Sequence, residues 1–277
     1  MTKIKNKRVL ITGGASGIGK IMGRIALEKG AASLLIWDIN EKNLAATAAE
    51  YASFGRVITR RIDLTDYEEV ERAYAETKAT EGDVDILINC AGIVTSNHTF
   101  DKMTTDEIRR TMEINATAPM VLAKQMLPDM VARNSGHICN IASAAGTLSM
   151  PKMSVYAASK WAMVGWSDSV RIELKESKSS VRFTTIAPYF INTGMFDGVK
   201  SSLLMPIQSP EKVSRKIIRA IECNKNFKGI PYPLHFIRLM QGLLPTVMFD
   251  FLCEKILRIF HTMDNFTGRN NNQTQRT

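Results

Sequence analysis

The chain has 277 residues, 45% of them hydrophobic and 23% charged, with a formal net charge of +9. That length and balance suit one large α/β domain with a sizeable core and exclude wholesale disorder. The cations are spread along the sequence with no arginine-rich arm or nucleic-acid module, so they read as general surface charge, and no nucleic-acid partner is expected. Cys90, Cys139, Cys223 and Cys253 lie far apart without CxxC or Cys/His spacing, which argues against a disulfide framework or a metal site. No apolar run reaches the roughly 18 residues of a spanning helix. The polar opening Met1–Lys7 offers no secretory core, and cytoplasmic residence is the expectation.

Short β-type runs alternate with longer helical stretches. Strands are predicted at Arg8–Thr12, Ser33–Trp37, Val57–Arg61, Asp85–Asn89, His137–Ile141 and Val181–Ile186. Helices are predicted at Ile18–Lys29, Glu41–Ser53, Tyr67–Ala79, Thr105–Ala132 and Val155–Glu176. Such alternation gives right-handed βαβ units around a parallel sheet. Runs such as Val9-Leu10-Ile11 and Ile86-Leu87-Ile88 are continuously apolar, as strands buried on both faces should be. Beyond Pro188 the pattern loosens: Gly194–Pro210 is rich in Met, Leu, Ser and Gly, Glu211–Cys223 reads as a helix, and Gly229–Pro233 as a last strand. Leu234–Met263 is apolar with interspersed charge and broken by Pro245, and Asn270–Thr277 is a polar tail. The division is a catalytic domain over residues 1–233 and a helical extension over 234–277.

The first strand–helix junction reads Thr12-Gly13-Gly14-Ala15-Ser16-Gly17-Ile18-Gly19. Glycines there let the backbone turn sharply and approach a pyrophosphate at a helix N-terminus, where unpaired N–H groups favour anions. Asp38 ends the second strand 19 residues after Gly19, where a carboxylate accepts from ribose hydroxyls of NAD and repels a 2′-phosphate. The plainer alternative is a cap for the helix near Glu41. NAD is expected, NADP less so. Asp63 and the run Asn89-Cys90-Ala91-Gly92 also follow strands, at the edge where open α/β sheets bind ligands.

Tyr156 and Lys160 stand one turn apart on one helix face. An ammonium beside a phenol stabilises the phenolate, which makes Tyr156 a candidate general acid/base. Ser143, just past the fifth strand, can hold a substrate oxygen as charge develops. Asn115 is unusual inside a helix, and its amide is a candidate partner for backbone or an ordered water beside Lys160.

In this order the motifs TGGASGIG (12–19), NCAG (89–92), Asn115, Ser143 and YAASK (156–160), with Pro188 before Asn192-Thr193-Gly194, resemble the short-chain dehydrogenase/reductase family over residues 7–223. The resemblance implies a single Rossmann-type doubly wound parallel sheet and a catalytic tetrad of Asn115, Ser143, Tyr156 and Lys160. It implies a dinucleotide held by Gly13, Ser16, Gly17, Ile18, Gly19, Leu64, Ala91, Gly92 and Pro188, with Asp38 on the ribose, Asp63 at adenine and Asn89 on the adenosine side. Tyr156 would bind the cofactor as well, Lys160 would hold the nicotinamide ribose hydroxyls, and Thr193 would meet the nicotinamide carboxamide. Cys90 replaces a frequent second asparagine, and Tyr189-Phe190-Ile191 stands without the family's frequent Pro-Gly pair. A homodimer or homotetramer through the long helices is implied as well.

Substrate choice should reside in Ala144–Met153 and Gly194–Pro210, with Leu148, Met150, Met153, Met195, Phe196, Val199, Leu203, Leu204 and Met205. A Met-rich lid suits a lipophilic substrate, or else merely packs onto the domain. Gly194-Met195-Phe196 and the ending Met263–Arg269 resemble the retinol and 17-beta-hydroxysteroid dehydrogenase branch. The expected reaction is NAD(H)-dependent interconversion of a lipophilic alcohol and its carbonyl. The alternatives are an NADPH-dependent reductase of a long-chain keto-lipid (3-ketosphinganine-like) and a non-catalytic dinucleotide-binding protein. His235–Phe260 is expected as amphipathic helices that serve as lid, dimer contact or membrane-surface element.

Overall fold

The computed structural model describes residues 1–202 and 205–268. Seven strands form one wholly parallel sheet in the order β3-β2-β1-β4-β5-β6-β7. They are β1 (Arg8–Thr12), β2 (Ser33–Asp38), β3 (Val57–Arg61), β4 (Ile86–Asn89), β5 (His137–Ile141), β6 (Arg182–Pro188) and β7 (Phe227–Ile230). The helices between them are α1 (Gly17–Glu28), α2 (Glu41–Tyr51), α3 (Tyr67–Glu81), α4 (Thr105–Met112), α5 (Ala118–Ala132), α6 (Ser154–Glu176) and α7 (Pro210–Glu222). The predicted doubly wound α/β fold is what the chain adopts.

Alternate strand residues feed two cores. Val9 and Ile11 pack with Ile25 of α1 and Val213 and Ile217 of α7. Leu10, Leu87 and Ile138 pack with Val70 of α3 and Leu122 and Met126 of α5 on the other face. Burial on both faces is why these strands lack a polar side. Strand order reverses between β1 and β4, and that switch point opens a crevice at the carboxyl ends of the strands.

The predicted single helix Thr105–Ala132 is not continuous. A π-helical stretch, Glu113–Thr117, separates α4 from α5 and carries Asn115. The last strand lies two residues earlier than predicted at its start, at Phe227. Beyond it come α8 (Pro233–Leu243) and α9 (Thr246–Phe251), divided at Pro245, then a π-helical turn at Leu252–Ile256. Their inner side chains Leu234, Ile237, Phe249 and Cys253 share one apolar cluster with Met150, Tyr156 and Tyr189. The extension is thus built into the wall of the catalytic half.

Candidate active site

A cavity of about 300 Å³ runs along the carboxyl edge of the sheet from Asp38 and Asp63 to Ser143 and Tyr156. Of the expected dinucleotide residues, Gly13, Ser16, Gly17, Ile18, Gly19, Asp38, Asp63, Leu64, Ala91, Gly92, Tyr156, Lys160, Pro188 and Thr193 all line it.

Local chemistry explains the nucleotide end. A Cβ on Gly19 would sit 2.3 Å from the Gly13 carbonyl oxygen, and one on Gly13 would sit 2.8 Å from Ala91 Cα. Only bare backbone lets the turn after β1 close against the segment after β4. Gly17, by contrast, meets no atom nearer than 3.9 Å, on Thr193, so its backbone faces the open groove. Asp38 accepts from the Ala15 N–H at 3.1 Å and the Asn40 N–H at 3.0 Å. The cap of α2 is Asn40, which accepts from Asn43 N, so Asp38 is not its cap but a brace for the glycine turn. Asp63 accepts from the N–H and hydroxyl of Thr65, while Asp66 caps α3. The bare turn, its N–H groups and the carboxylate fit a dinucleotide; the chemistry of the wall, not any bound group, is the basis.

Two expected residues do not reach the cavity. Asn89 turns inward: its amide donates to Asn140 Oδ1 on β5 at 2.8 Å, and Asn140 donates to Ser167 Oγ of α6 at 2.8 Å. The resemblance put it on the adenosine side, but its amide is spent on Asn140 within the sheet and Asn89 does not line the cavity. Asn115 lies behind the wall. Its Oδ1 accepts from the Ile93 N–H at 2.8 Å, and its Nδ2 donates to the Ile93 carbonyl at 2.9 Å and to Ser159 Oγ at 3.2 Å. Ser159 in turn donates to the Tyr156 carbonyl at 2.7 Å. The π-helical bulge is what turns this amide out of its own helix and across to α6.

At the other end Tyr156 and Lys160 are buried on α6, with the ammonium 5.7 Å from the phenol ring centroid and donating to the Ile141 carbonyl at 3.1 Å. Burial pushes the phenol up to about 12, and the contact with the Ser143 hydroxyl only partly opposes it. Burial also brings Lys160 down to about 8. The expected stabilisation of the phenolate by the ammonium is not what sets these shifts: both groups sit in a low-dielectric wall, where burial is the larger cause for each and disfavours both charged forms.

The lid divides. Met150, Met195 and Phe196 line the cavity. Leu148, Met153, Val199 and Met205 are buried in the apolar cluster behind it, and Leu203 and Leu204 lie outside the described residues. Sequence reading missed Tyr189, Phe190 and Ile191 as wall residues, although their place directly after β6 was a usable signal. It also missed Phe266, whose ring packs 6.2 Å from Phe196, itself 6.2 Å from Tyr156. Among the described residues no group of His, Cys, Asp or Glu is arranged to hold a metal.

Residues 7–203 match the family model for short chain dehydrogenases. The chain belongs to the short-chain dehydrogenase family. It is 37% identical over 266 residues to epidermal retinol dehydrogenase 2 of Mus musculus, covering 94% of this chain and 85% of that one. Against estradiol 17-beta-dehydrogenase 11 of Homo sapiens it is 35% identical over 252 residues, covering 90% and 82%. Its fold matches that of a short-chain dehydrogenase/reductase from Burkholderia phymatum, solved in complex with NAD, at a TM-score of 0.79 and 23% identity, covering 87% and 95%. The protein is an oxidoreductase related to retinol and steroid dehydrogenases, on a fold that binds NAD(P).

Proposed function

We propose that this protein interconverts a lipophilic secondary alcohol, of steroid, retinoid or similar lipid type, and its carbonyl with NAD(H). The observation that carries the reading is one continuous wall with the Asp38-braced glycine turn at one end and Ser143, Tyr156 and Lys160 at the other. Bound nicotinamide would supply the hydride acceptor or donor. Tyr156 takes the alcohol proton as hydride leaves the carbon, and returns it in the reverse direction. Ser143 would orient the substrate oxygen, and Lys160 would hold the ribose hydroxyls of the bound dinucleotide beside the phenol. Asn115 acts one step back as a positioning residue, because its amide ties the Ile93 loop to α6 through Ser159.

NAD is favoured over NADP by the Asp38 carboxylate and because, among the described residues, Lys160 is the only cation in the cavity wall. Arg61, the neighbour of Asp38 in register on β3, is exposed and outside that wall. It is the one feature that favours the second reading, an NADPH-dependent reductase of a long-chain keto-lipid. The apolar wall of Met150, Tyr189, Phe190, Met195 and Phe196 supports a lipophilic substrate, as do the retinol and estradiol named for the relatives. Assembly as a homodimer or homotetramer belongs to the same proposal, supported by Trp161 and Ile172, which are exposed three turns apart on α6.

A screen of steroids, retinol and long-chain secondary alcohols, read as NAD reduction, tests the reading beside Tyr156→Phe. Turnover should fall by about 10²–10⁴-fold in the variant while dinucleotide affinity is kept. Full turnover by Tyr156→Phe would remove the phenol from the reaction. Faster turnover with NADP(H) at equal concentration would favour the second reading.

A further inference from the structure

The cavity of about 300 Å³ runs along the sheet edge from Asp38 to Tyr156, and a bound dinucleotide takes most of that length. Such a volume is at the lower end of what one drug-sized ligand fills, so little is left for a lipophilic substrate. A second cavity, of about 590 Å³, adjoins the first at its substrate end. Phe190, Ile191 and Phe196 line both.

The partition between the two is made of side chains. The Phe190 and Phe196 rings lean together with centroids 5.1 Å apart, and Phe196 lies 6.2 Å from the Tyr156 ring. The main chain on either side of them is held. Gln208 N donates to the Phe190 carbonyl at 2.8 Å, and Asn192 N donates to the Gln208 carbonyl at 3.0 Å. Thr267 N donates to the Asp197 carbonyl at 2.9 Å, and a Cβ on Gly198 would collide with the Asn265 carbonyl oxygen. Phe196 itself is only half-buried, so a change of rotamer at fixed backbone can join the two cavities.

The second cavity is two-sided. Val199 and Ile207 extend the apolar surface of Phe196, whereas Asn192, Asp197 and Ser209 stand exposed at the rim. An apolar approach that ends on an amide, a hydroxyl and a carboxylate fits an apolar chain that ends in a hydrogen-bond donor. The Asp197 carboxylate only accepts, and it repels a second carboxylate.

We propose that a substrate reacting at Tyr156 extends past Phe196 into this second cavity, and that it is an uncharged lipid alcohol with a second hydroxyl at its far end. Its placement at Tyr156 rests on the dehydrogenase reading, whereas occupancy of the second cavity is measurable without turnover.

The test is calorimetric titration of the NADH-loaded full chain with a short and a long linear 2-alkanol, beside turnover of both with NAD. The long alcohol is expected to bind about tenfold or more tighter than the short one. Ile207 lines the second cavity and not the first, and Ile207→Trp should fill it. In that variant the long alcohol should lose about tenfold in affinity, with the short alcohol and the melting temperature unchanged. Phe196→Ala removes the partition and should raise the ratio of long to short affinity. A hydroxyl at the far end of the long alcohol should bind about threefold tighter than a carboxylate there, and Asp197→Asn should narrow that difference. No binding of the long alcohol, an equal effect of Ile207→Trp on both alcohols, or tighter binding of the carboxylate overturns the proposal. If Ile207→Trp separates the two alcohols in binding but neither is turned over, the second cavity stands and the dehydrogenase reading falls. Turnover without that separation does the reverse.

Discussion

The two ends of the cavity are held by different means. The nucleotide end is a matter of backbone: Gly13 and Gly19 touch neighbouring main chain, and Asp38 accepts from main-chain N–H groups. These contacts lie within a turn or across adjacent strands. The substrate end is a matter of side chains gathered from far apart in the chain, with Met150, Tyr156, Phe196, Phe249 and Phe266 packed together. A backbone cradle tolerates almost no added atom at its contact points, whereas an apolar wall can repack. The first end should be rigid in its chemistry and the second adaptable in its specificity.

Breaking the cradle should have the largest effect. Gly19→Ala places a Cβ against the Gly13 carbonyl oxygen, and dinucleotide affinity should fall by about a hundredfold or more, read by fluorescence titration. Phe249→Ala attacks the other end. Truncation of this buried ring should cost about 3–5 kcal/mol in denaturant unfolding and raise KM for apolar substrates, with dinucleotide affinity kept. A single transition is expected; two transitions would mean that α8 and α9 unfold apart from the sheet.

The pH dependence probes the Tyr156–Lys160 pair. In the reaction proposed above, oxidation would need the phenolate together with the Lys160 ammonium, and reduction the phenol with that ammonium. With burial holding Lys160 at about 8 and Tyr156 at about 12, kcat/KM for oxidation should rise up to about tenfold per pH unit below 8 and level above it. For reduction it should be flat below 8 and fall above. Stability follows from the same shift. Between pH 8 and 10.5 the unfolded chain holds the Lys160 proton that the folded one has lost, so this group makes stability rise with pH across that window.

Asp38→Ala should narrow the preference for NAD over NADP by about tenfold, the worth of one charge-assisted hydrogen bond, in the ratio of kcat/KM values. The smallest effect belongs to the exposed ion pair of Lys152 with Asp264, which links the Ala144–Met153 loop to the C-terminal segment at 2.8 Å. Lys152→Ala should change KM by less than about twofold, because solvent screens such pairs.

The sequence carried the nucleotide end well because its signals are local. A glycine needed for close approach, an acid at a strand end and a Tyr–Lys pair one turn apart each lie within a few residues of the feature they serve. Asn89 shows the limit: its place at a strand end was legible, but the direction of its side chain depends on the pleat and on Asn140 of β5 opposite. Asn115 shows another, since a π-helical bulge inside an otherwise regular helix leaves no periodic signature, and the bulge decides where the amide points.

By itself the sequence determined the parallel sheet, the order of its elements, the glycine cradle and the identities of Ser143, Tyr156 and Lys160. Apolar runs and helix spacing are consequences of local backbone geometry, so they can be read without a partner. Only the tertiary structure decided which lid residues face the cavity, that Phe266 and α9 join the apolar cluster behind it, and that the phenol and ammonium are both held against their charged forms. Those outcomes depend on what packs against what across more than a hundred residues, and on the dielectric that such packing creates.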